Sequence, residues 1–254
     1  MSKIIYLSKP GSVSMDNNWY ELSNKNHFWI RWRFRILQKY IEPFIDTEKK
    51  ILEIGCGDGV VMEQFSDELH MSIDGCDINN AAFTNFHPVP GKIFLYNIYD
   101  CHPAMVGQYD LVLLLDVIEH IDDDKDFLTQ ALMHLKPGGL VVIGVPAYNF
   151  LFSSYDELMG HKRRYSRKAL NLLFAKVNLE TIKIGYWGFS LLPVLAMRKF
   201  ILKLYTGGNT TNLGYQPPNR FINWLFVQLM KIETVFFTRA IMGISLMAIA
   251  RKGK

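Results

Sequence analysis

The middle of the chain alternates between short apolar runs and stretches with apolar positions at helical spacing. A short apolar run is typical of a buried strand, whereas apolar residues three and four positions apart are typical of a helix. The predicted strands are "KKILEIG", "MSIDGCD", "KIFLYN", "YDLVLLLD" and "LVVIGVP", with predicted helices at "VVMEQFSDEL", "AAFTNF" and "DDKDFLTQALMHL". Strands that alternate with helices predict an α/β fold, in which a parallel sheet carries helices on both faces.

The N-terminal flank has a different character. Residues 1–18 are polar and predict a loose entry to the fold. A stretch rich in aromatic residues and arginines follows, including "HFWIRWRF". It predicts a helix over residues 26–41, which ends before Pro43 because proline disfavours helical backbone in the residue that precedes it.

The C-terminal flank returns to the α/β pattern after an irregular polar stretch. Residues 166–177 predict a helix, and "LETIKIGYW" and "GISLMAIARK" predict two further strands. Two more helices are predicted between these strands, over about 189–205 and 219–241, joined by a loop rich in Gly, Pro and Asn.

Composition and charge set this last region apart. The chain has 254 residues, 49% of them hydrophobic, which is enough for one sizeable core with a subdomain or lid. Its formal charge of +4 is well short of that of a dedicated nucleic-acid-binding protein. Residues 188–243, called the basic segment below, carry six basic residues against Glu233, whereas the remainder carries 22 basic and 23 acidic residues. The six basic residues are Arg198, Lys199, Lys203, Arg220, Lys231 and Arg239.

The cysteines and the N-terminal residues indicate which cellular compartment to expect. Cys56, Cys76 and Cys101 are odd in number and lack the spacing of a zinc site or a disulfide framework, so we expect free thiols and a reducing compartment. The N-terminus lacks the apolar core of a signal peptide, and no apolar stretch is long enough to span a bilayer. We therefore expect a cytoplasmic protein, with Cys56 and Cys76 as buried thiols.

The first strand leads into "LEIGCGDGV", in which glycines occupy alternate positions from Gly55 to Gly59. Glycines where a strand becomes a helix let the backbone approach a ligand closely. A dinucleotide fingerprint would need a small residue where Val60 stands, and here the third glycine comes one residue early. Glu53 would repel a phosphate and attract a cationic ligand, so the loop suits a ligand without pyrophosphate.

The next two strands end in residues that suit an adenosine. Asp77 ends the second strand, where a carboxylate can accept two hydrogen bonds from a ribose diol. Asn97 ends the third strand and offers a carbonyl to an exocyclic amine, and Ile98 offers a backbone N–H and an apolar face to adenine. A ribose acceptor, an adenine reader and an anionic pocket together predict S-adenosylmethionine as the cofactor.

The chain resembles the class I S-adenosylmethionine-dependent methyltransferases. The matching motifs are "LEIGCGDG", "DGCDIN", "YNI", "YDLVLLLDVIEHI" and "LKPGGLVVIGVP", in that order across residues 50–147. The resemblance implies a Rossmann-like sheet of seven mostly parallel strands with the last one antiparallel, and it makes the basic segment an insertion before that strand. The cofactor-binding residues that we assign are Arg31, Glu53, Gly55, Cys56, Gly57, Asp77, Ile78, Asn97, Ile98 and Asp116.

Two further motifs resemble a subgroup related to quinone-biosynthesis O-methyltransferases, "HFWIRWRF" and "GHKRRYS". In related folds an N-terminal helix covers the cofactor, which implies that Arg31 meets the cofactor carboxylate. The chain departs from the family at Asn97, where Asp is more usual, although Asn keeps the acceptor oxygen.

Two interpretations of Asp116, Glu119 and His120, at the end of the fourth strand, remain open. Carboxylates and an imidazole could hold Mg²⁺ or Zn²⁺, and the quinone O-methyltransferases have a similar E-x-x-E-H arrangement. Alternatively, Asp116 contacts the methionine end of the cofactor and Glu119–His120 caps the following helix. We favour the second interpretation and predict no metal.

The "GHKRRYS" motif supplies the predicted acceptor site. His161 and His120 are the candidate general bases, with His161 favoured because its loop faces the substrate side. Arg163, Arg164 and Tyr165 form a predicted substrate clamp, since arginine suits phosphate or carboxylate. The alternative is a solvated basic loop that forms ion pairs with the neighbouring helix.

The sequence predicts an enzyme that transfers a methyl group, with three hypotheses for its role. The first is O-methylation of a hydrophobic or lipid-linked small molecule, with the basic segment lying peripherally on the inner face of the membrane. The second is methylation of a soluble metabolite such as a sugar, with the basic segment as a homodimer interface. The third is a cofactor-binding membrane adaptor without catalysis. Nucleic acid is not an expected partner, because "DVIEH" replaces the motif used on base amines.

The expected organisation has four parts. Residues 1–45 form an N-terminal segment with the aromatic covering helix, residues 46–187 the cofactor-binding core, residues 188–243 the helical insertion, and residues 244–254 the last strand of the core.

Overall fold

The computed structural model describes residues 4–11, 25–84, 86, 89–204, 219–236 and 240–253. Its strands are β1 (Ile4–Tyr6), β2 (Ile51–Ile54), β3 (Asp74–Asp77), β4 (Ile93–Leu95), β5 (Tyr109–Leu115), β6 (Leu135–Pro146), β7 (Leu179–Trp187) and β8 (Ser245–Lys252). Its helices are α1 (Phe28–Ile41), α2 (Val60–Leu69), α3 (Asp124–Met133), α4 (Ser154–Leu158), α5 (Arg167–Lys176), α6 (Leu192–Leu204) and α7 (Arg220–Phe236). Among these residues, the alternation predicted for the middle of the chain is confirmed.

One mixed sheet joins the described strands in the order β1-β4-β3-β2-β5-β6-β8-β7. Neighbouring strands from β1 through β6 run parallel, while β8 lies antiparallel between β6 and β7. The carboxyl ends of the parallel strands therefore meet along one edge, which is where open α/β sheets bind ligands. The predicted Rossmann-like fold with an antiparallel last strand is confirmed.

The strand count corrects the sequence analysis, which expected seven strands and a loose entry over residues 1–18. Ile4–Tyr6 forms an eighth strand that pairs in parallel with β4. Three residues are too few to show a period, and a strand at the sheet edge needs only one partner, so the polar surroundings concealed it. The chain then crosses the ends of two strands, with Ser8 N–H donating to the Leu95 carbonyl at 3.1 Å and Gly11 N–H to the Ile78 carbonyl at 2.9 Å.

Two apolar layers cover the two faces of the sheet. Along β5, Leu111 and Leu113 face one layer while Val112 and Leu114 face the other. This arrangement explains why β5 reads as a continuous apolar run, since a strand buried on both faces has no polar side. The first layer contains α1, α2 and α7, and the second contains α3 and α5.

The covering helix begins and ends close to where the sequence predicts. The side chain of His27 caps its N-terminus by accepting from the Trp29 N–H at 3.2 Å. The helix ends at Ile41, and Pro43 lies in the short 3₁₀ turn that follows. Trp32, Phe34 and other apolar side chains of α1 are buried against the sheet. The predicted buried thiols are also confirmed, because Cys56 and Cys76 are both buried and free.

A buried carboxylate joins α7 to the end of β7. Glu233 is 5% exposed. One of its oxygens accepts the N–H groups of Gly188 at 2.7 Å and Phe189 at 2.9 Å, and the other accepts that of Ser190 at 2.8 Å. Hydrogen bonds to an ionised acceptor are stronger than neutral ones. Glu233 thus fixes where the chain leaves the sheet to enter the basic segment.

We expect Glu233→Ala to lower the free energy of unfolding by about 3 kcal/mol, because it leaves buried N–H groups without an acceptor. Chemical denaturation of the full chain measures the change. Glu180→Ala, an exposed carboxylate on β7, is the matched control and should stay near the wild-type value. Equal unfolding free energies for the two variants would show that Glu233 does not hold the segment.

Candidate active site

The glycine loop between β2 and α2 adopts a backbone that few other residues tolerate. Gly55, Gly57 and Gly59 have φ values of 77°, 56° and 83°, all in the left-handed region. A Cβ at Gly55 would lie 2.7 Å from a methyl carbon of Val117. The loop is therefore both turned and tightly packed, and it presents backbone rather than side chains to the ligand edge of the sheet.

Asp77 lies at the end of β3, oriented by the glycine loop. Its carboxylate accepts the Gly57 N–H at 3.0 Å on one oxygen and the Asn79 N–H at 2.8 Å on the other. Burial raises the pKa of Asp77, and these backbone hydrogen bonds oppose that rise. A carboxylate can accept further hydrogen bonds, and acceptance from a ribose diol by Asp77 stays a prediction.

Glu53 is the buried charge of the site. It is 3% exposed, and its Oε2 has no hydrogen-bond partner among the described residues. Burial raises the pKa of Glu53 to about 8, with Arg33 opposing the shift and Asp58 and Asp77 adding to it. A buried carboxylate without a partner favours a cation beside it. The site therefore fits the cationic methionine end of S-adenosylmethionine.

Asn97 and Ile98 lie at the end of β4, as the adenine prediction requires. The Asn97 side-chain oxygen caps the following 3₁₀ turn by accepting the Tyr99 N–H at 3.1 Å. Its backbone N–H donates to the Ser8 hydroxyl at 2.8 Å, so the N-terminal segment borders this position. Ile98 is buried. One lone pair of the Asn97 oxygen remains for an adenine amine, and the assignment stays a prediction.

An ion pair links the covering helix to the end of β5. Arg33 Nη1 lies 2.6 Å from Asp116 Oδ2, and Asp116 has a φ of 57° that is unusual outside glycine. The sequence analysis chose Arg31 to meet the cofactor, and this role stays a prediction; the structure brings a second arginine of the same helix, Arg33, to this edge. Helical phase separates the two, because residues two positions apart point to different sides.

His161 is oriented by a carboxylate that the sequence analysis missed. Its Nδ1 lies 3.0 Å from Asp156 Oδ1, and the same oxygen accepts from Arg164 Nε at 2.7 Å. Burial alone would raise the pKa of Asp156, but the hydrogen bonds from His161 and Arg164 outweigh it and lower the pKa to about 2. An ionised Asp156 holds a proton on Nδ1 and leaves the Nε2 of His161 available.

His120 and Glu119 meet His161 from the end of β5. One potential ligand atom from each of the three side chains lies within 4.8 Å of the others. Glu119 is fully buried, and neither carboxylate oxygen has a partner among the described residues. Burial raises the pKa of Glu119, as does the charge of Asp116. Burial also lowers the pKa of His120 to about 4, helped by His161, so His120 is neutral near pH 7.

The predicted clamp residues have partners inside the protein. Arg163 donates to the carbonyls of Ile121 at 3.0 Å and Asp122 at 2.7 Å. The Tyr165 hydroxyl is buried and donates to Asp124 Oδ2 at 2.8 Å. Arg163 and Tyr165 thus fasten the His161 loop to the residues that follow β5, whereas Arg164 contacts Asp156 and the Ala147 carbonyl. Substrate binding by these three residues stays a prediction.

Asp156 and Arg33 had weak signals in the sequence. Asp156 lies five residues before His161 in an irregular stretch, where no period predicts which side chains meet. A Ser-x-x-Asp pattern was nevertheless present, and Ser153 with Asp156 does form a capping box at α4. Arg33 was one of several arginines in an aromatic helix, and only the helical phase relative to the sheet selects it.

A family model described as a methyltransferase domain matches residues 26–184. Among curated relatives, the ubiquinone biosynthesis O-methyltransferase of Bradyrhizobium sp. (strain ORS 278) is 33% identical over 100 residues, which cover 37% of this chain and 38% of that protein. The protein of the same name from Pseudomonas aeruginosa (strain LESB58) is 29% identical over 101 residues, covering 37% and 43%. The chain thus spans about two fifths of the length of the curated relatives it matches.

Solved structures agree on the fold. Phosphoethanolamine N-methyltransferase 2 of Haemonchus contortus, in complex with S-adenosyl-L-methionine, aligns with a TM-score of 0.59 at 15% identity, over 94% of this chain and 57% of that one. The plantazolicin methyltransferase BpumL, in complex with SAH, aligns with a TM-score of 0.57 at 15% identity, over 92% and 88%.

The sheet order, the glycine loop and the family match define a class I methyltransferase with a Rossmann-like fold. The chain belongs to the methyltransferase-domain family, and it resembles the ubiquinone O-methyltransferase subgroup within it. Its cofactor is S-adenosylmethionine.

Cofactor affinity should rise with pH through Glu53. Because Glu53 is protonated below a pKa of about 8, a cationic ligand must displace its proton, and binding should tighten about tenfold from pH 6.5 to 8. Calorimetry with S-adenosylmethionine in buffers of different ionisation enthalpy measures both the affinity and the released proton.

Glu53→Gln is the control, because it retains the shape and removes the titration. Its affinity should follow only the titration of the ligand itself. If wild type and variant show the same pH dependence and the same proton release, Glu53 does not face the cationic end of the cofactor.

Proposed function

We propose that this enzyme methylates a hydroxyl of a hydrophobic or lipid-linked small molecule, with His161 as the general base. The observation that carries the proposal is the hydrogen bond between His161 and the ionised Asp156. It presents one imidazole nitrogen at the ligand edge of the sheet, beside the end of β5. A histidine with one nitrogen fixed by a carboxylate suits removal of a hydroxyl proton near neutral pH.

The sulfonium of bound S-adenosylmethionine supplies an already activated methyl group. The residues of this chain then have to align the acceptor, exclude water and accept a proton. Glu53 and Asp77 orient the cofactor from the glycine-loop side. His161 Nε2 takes the hydroxyl proton, and Asp156 stabilises the charge that this places on the ring. His120, which stays neutral, lines the same position.

The names of the curated relatives support methylation of an oxygen atom of the acceptor. The curated proteins that share 29–33% of the aligned residues are named O-methyltransferases of ubiquinone biosynthesis. A quinone precursor combines a ring hydroxyl with an apolar body, which is the acceptor chemistry proposed here.

A divalent cation is a second candidate component, favoured by Glu119. Its buried carboxylate has no partner among the described residues, and the two nearby imidazoles complete a donor set that suits Mg²⁺ or Zn²⁺. Glu119, His120 and His161 would hold the ion, which would favour the deprotonated form of an acceptor hydroxyl. The two candidates exclude each other, because both use the free nitrogen of His161.

Metal chelation and substitution of His161 distinguish the two candidates, a histidine base and a bound metal ion. With His161 as base, exhaustive EDTA treatment should leave turnover intact, and His161→Gln should lower it about 10²–10⁴-fold with unchanged cofactor affinity. The measurement is methyl transfer from labelled S-adenosylmethionine to lipid and aqueous extracts of the source cells. If EDTA abolishes turnover and Mg²⁺ or Zn²⁺ restores it, a bound metal ion rather than a histidine base activates the acceptor.

The lipid-linked acceptor has support from an exposed apolar face on α7. One side of this helix buries Val227 and Met230 against the fold, while the opposite side is also apolar and faces solvent. The exposed side chains are Phe221, Ile222, Trp224, Leu225, Ile232 and Val235. A surface of this kind with basic neighbours suits the interface of an anionic membrane. Over the described residues, no helix has the length and apolar character to cross a bilayer.

The membrane proposal predicts flotation with anionic liposomes at low salt and less flotation as salt rises. Arg220→Glu with Lys231→Glu should weaken flotation, since each base near the surface contributes about 1 kcal/mol. Lys125→Glu on α3 is the matched control.

A protein that stays at the bottom of the gradient at every salt concentration and sediments as a dimer would favour the soluble-acceptor hypothesis, in which the basic segment is a subunit interface. Transfer of label to no extract component would favour the adaptor.

A further inference from the structure

We propose that residues 7–11, called the crossing segment below, are part of the cofactor site and position the residues that meet the adenosine of S-adenosylmethionine. The segment contacts Asn97 after β4 and Ile78 after β3, both of which were assigned to the cofactor. The proposal rests on that assignment. It depends neither on the methyl acceptor nor on His161, and it therefore goes beyond the proposed function.

Strand β1 brings the crossing segment to the ligand edge of the sheet. It pairs in parallel with β4, so that Ile4 lies opposite Ile93 and Tyr6 lies opposite Leu95. Parallel neighbours end at the same edge, and the carboxyl edge is where open α/β sheets bind ligands. The residues that follow Tyr6 therefore emerge beside the end of β4, next to the predicted adenine position.

Backbone hydrogen bonds fasten both ends of the crossing segment. The N–H groups of Leu7 and Ser8 donate to the Leu95 carbonyl at 3.0 and 3.1 Å. The chain then passes from the end of β4 to the end of β3, where the Gly11 N–H donates to the Ile78 carbonyl at 2.9 Å. The segment thus bridges the two strand ends to which the adenosine is assigned.

The Ser8 hydroxyl orients the backbone at the predicted adenine position. It accepts the Asn97 N–H at 2.8 Å. The preceding N–H, that of Tyr96, donates toward the other neighbouring strand, to the Asp77 carbonyl at 2.9 Å. The end of β4 is therefore held from both sides. Because hydrogen bonds are directional, these contacts restrict the Asn97 side chain and the Ile98 N–H, which are the groups predicted to meet adenine.

Gly11 packs directly on the side chain of Ile78, the residue after the predicted ribose acceptor Asp77. A Cβ at Gly11 would lie 2.5 Å from the Ile78 Cδ1 and 2.6 Å from its Cγ1, well inside the optimal carbon–carbon separation. Glycine therefore lets the backbone lie against this side chain and restrict its rotation. Pro10 precedes it and has a fixed φ, which stiffens the segment between its two contacts.

The crossing segment thereby pre-organises the adenosine end of the site. Ser8 and Gly11 act through Asn97 and Ile78, so both are positioning residues. A site whose residues already hold the binding arrangement avoids the cost of ordering them when the ligand arrives. Loss of either contact should therefore weaken binding of the adenosine part of the cofactor.

Calorimetry on the full chain tests the proposal with S-adenosylhomocysteine and with 5′-methylthioadenosine, which lacks the amino acid. Ser8→Ala should weaken the binding of both ligands about fivefold, as expected for the loss of one hydrogen bond. Ser8→Thr should restore wild-type affinity, because it keeps the hydroxyl. Ser72→Ala, at an exposed serine before β3 at the amino end of that strand, is the matched control and should change neither affinity.

Gly11→Ala should also weaken the binding of both ligands. The variant should fold, because only the flexible end of the Ile78 side chain has to move to admit the methyl group. Chemical denaturation of each variant measures the free energy of unfolding. A purely structural role would lower that free energy and leave the affinity of the folded protein unchanged.

Hydrogen exchange gives a second measurement on the wild-type chain. S-adenosylhomocysteine should slow the exchange of the N–H groups of the crossing segment, because bound ligand opposes local opening. The N–H groups of residues 180–183, on β7 at the opposite side of the sheet, should exchange at the same rate with and without ligand.

Three results would overturn the proposal. The first is wild-type affinity of Ser8→Ala and Gly11→Ala for both ligands. The second is a loss of affinity for S-adenosylhomocysteine but not for 5′-methylthioadenosine, and the third is unchanged exchange of the crossing segment. Asn97→Ala, measured in parallel, tests the underlying assignment, and wild-type affinity of this variant would also overturn the proposal. No methyl acceptor is present in these measurements, so their outcome is separate from that of the proposed O-methylation.

Discussion

The sharp turn of the chain at the carboxyl edge of the sheet is the constraint on which the site depends. Four strands leave the sheet at or close to a residue with positive φ, namely Gly55 after β2, Asp116 after β5, Tyr148 after β6 and Gly188 after β7. Left-handed backbone costs little at glycine and about 1 kcal/mol or more elsewhere. Asp116 and Tyr148 therefore hold strained positions at this edge, where strain is most often associated with function.

Buried acids at that edge favour a cationic ligand over an anionic one. Glu53, at the end of β2, and Asp77, at the end of β3, are both buried, and Glu119 is buried in the turn after β5. Burial raises the pKa of all three, because the ionised carboxylate is costly there unless a positive charge lies beside it. Arg33 is the cation that the fold itself brings there, and it pairs with Asp116. A sulfonium ligand would supply positive charge to the buried carboxylates that have no cationic partner of this kind.

Sequence patterns predicted the strands and helices that have a regular hydrophobic period and missed the segments that have none. The strands and helices between Ile51 and Pro146 followed clear periods, because both faces of the sheet are covered. The edge strand Ile4–Tyr6 was too short to show a period, and seven strands were expected where eight occur. In the site, motif residues such as Asp77 lie where predicted. Asp156 was not predicted as a site residue, because its contact with His161 depends on the path of a loop, which no sequence period predicts.

One carboxylate joins the basic segment to the sheet. Glu233 belongs to α7 and holds the backbone at Gly188, which follows directly on Trp187. Trp187 in turn stacks on Trp29, four residues before Arg33 on α1. The position of α7 is therefore tied to the end of β7 and to α1. These contacts connect the insertion with Arg33 and Asp116 at the carboxyl edge, whether its apolar face meets a membrane or another subunit.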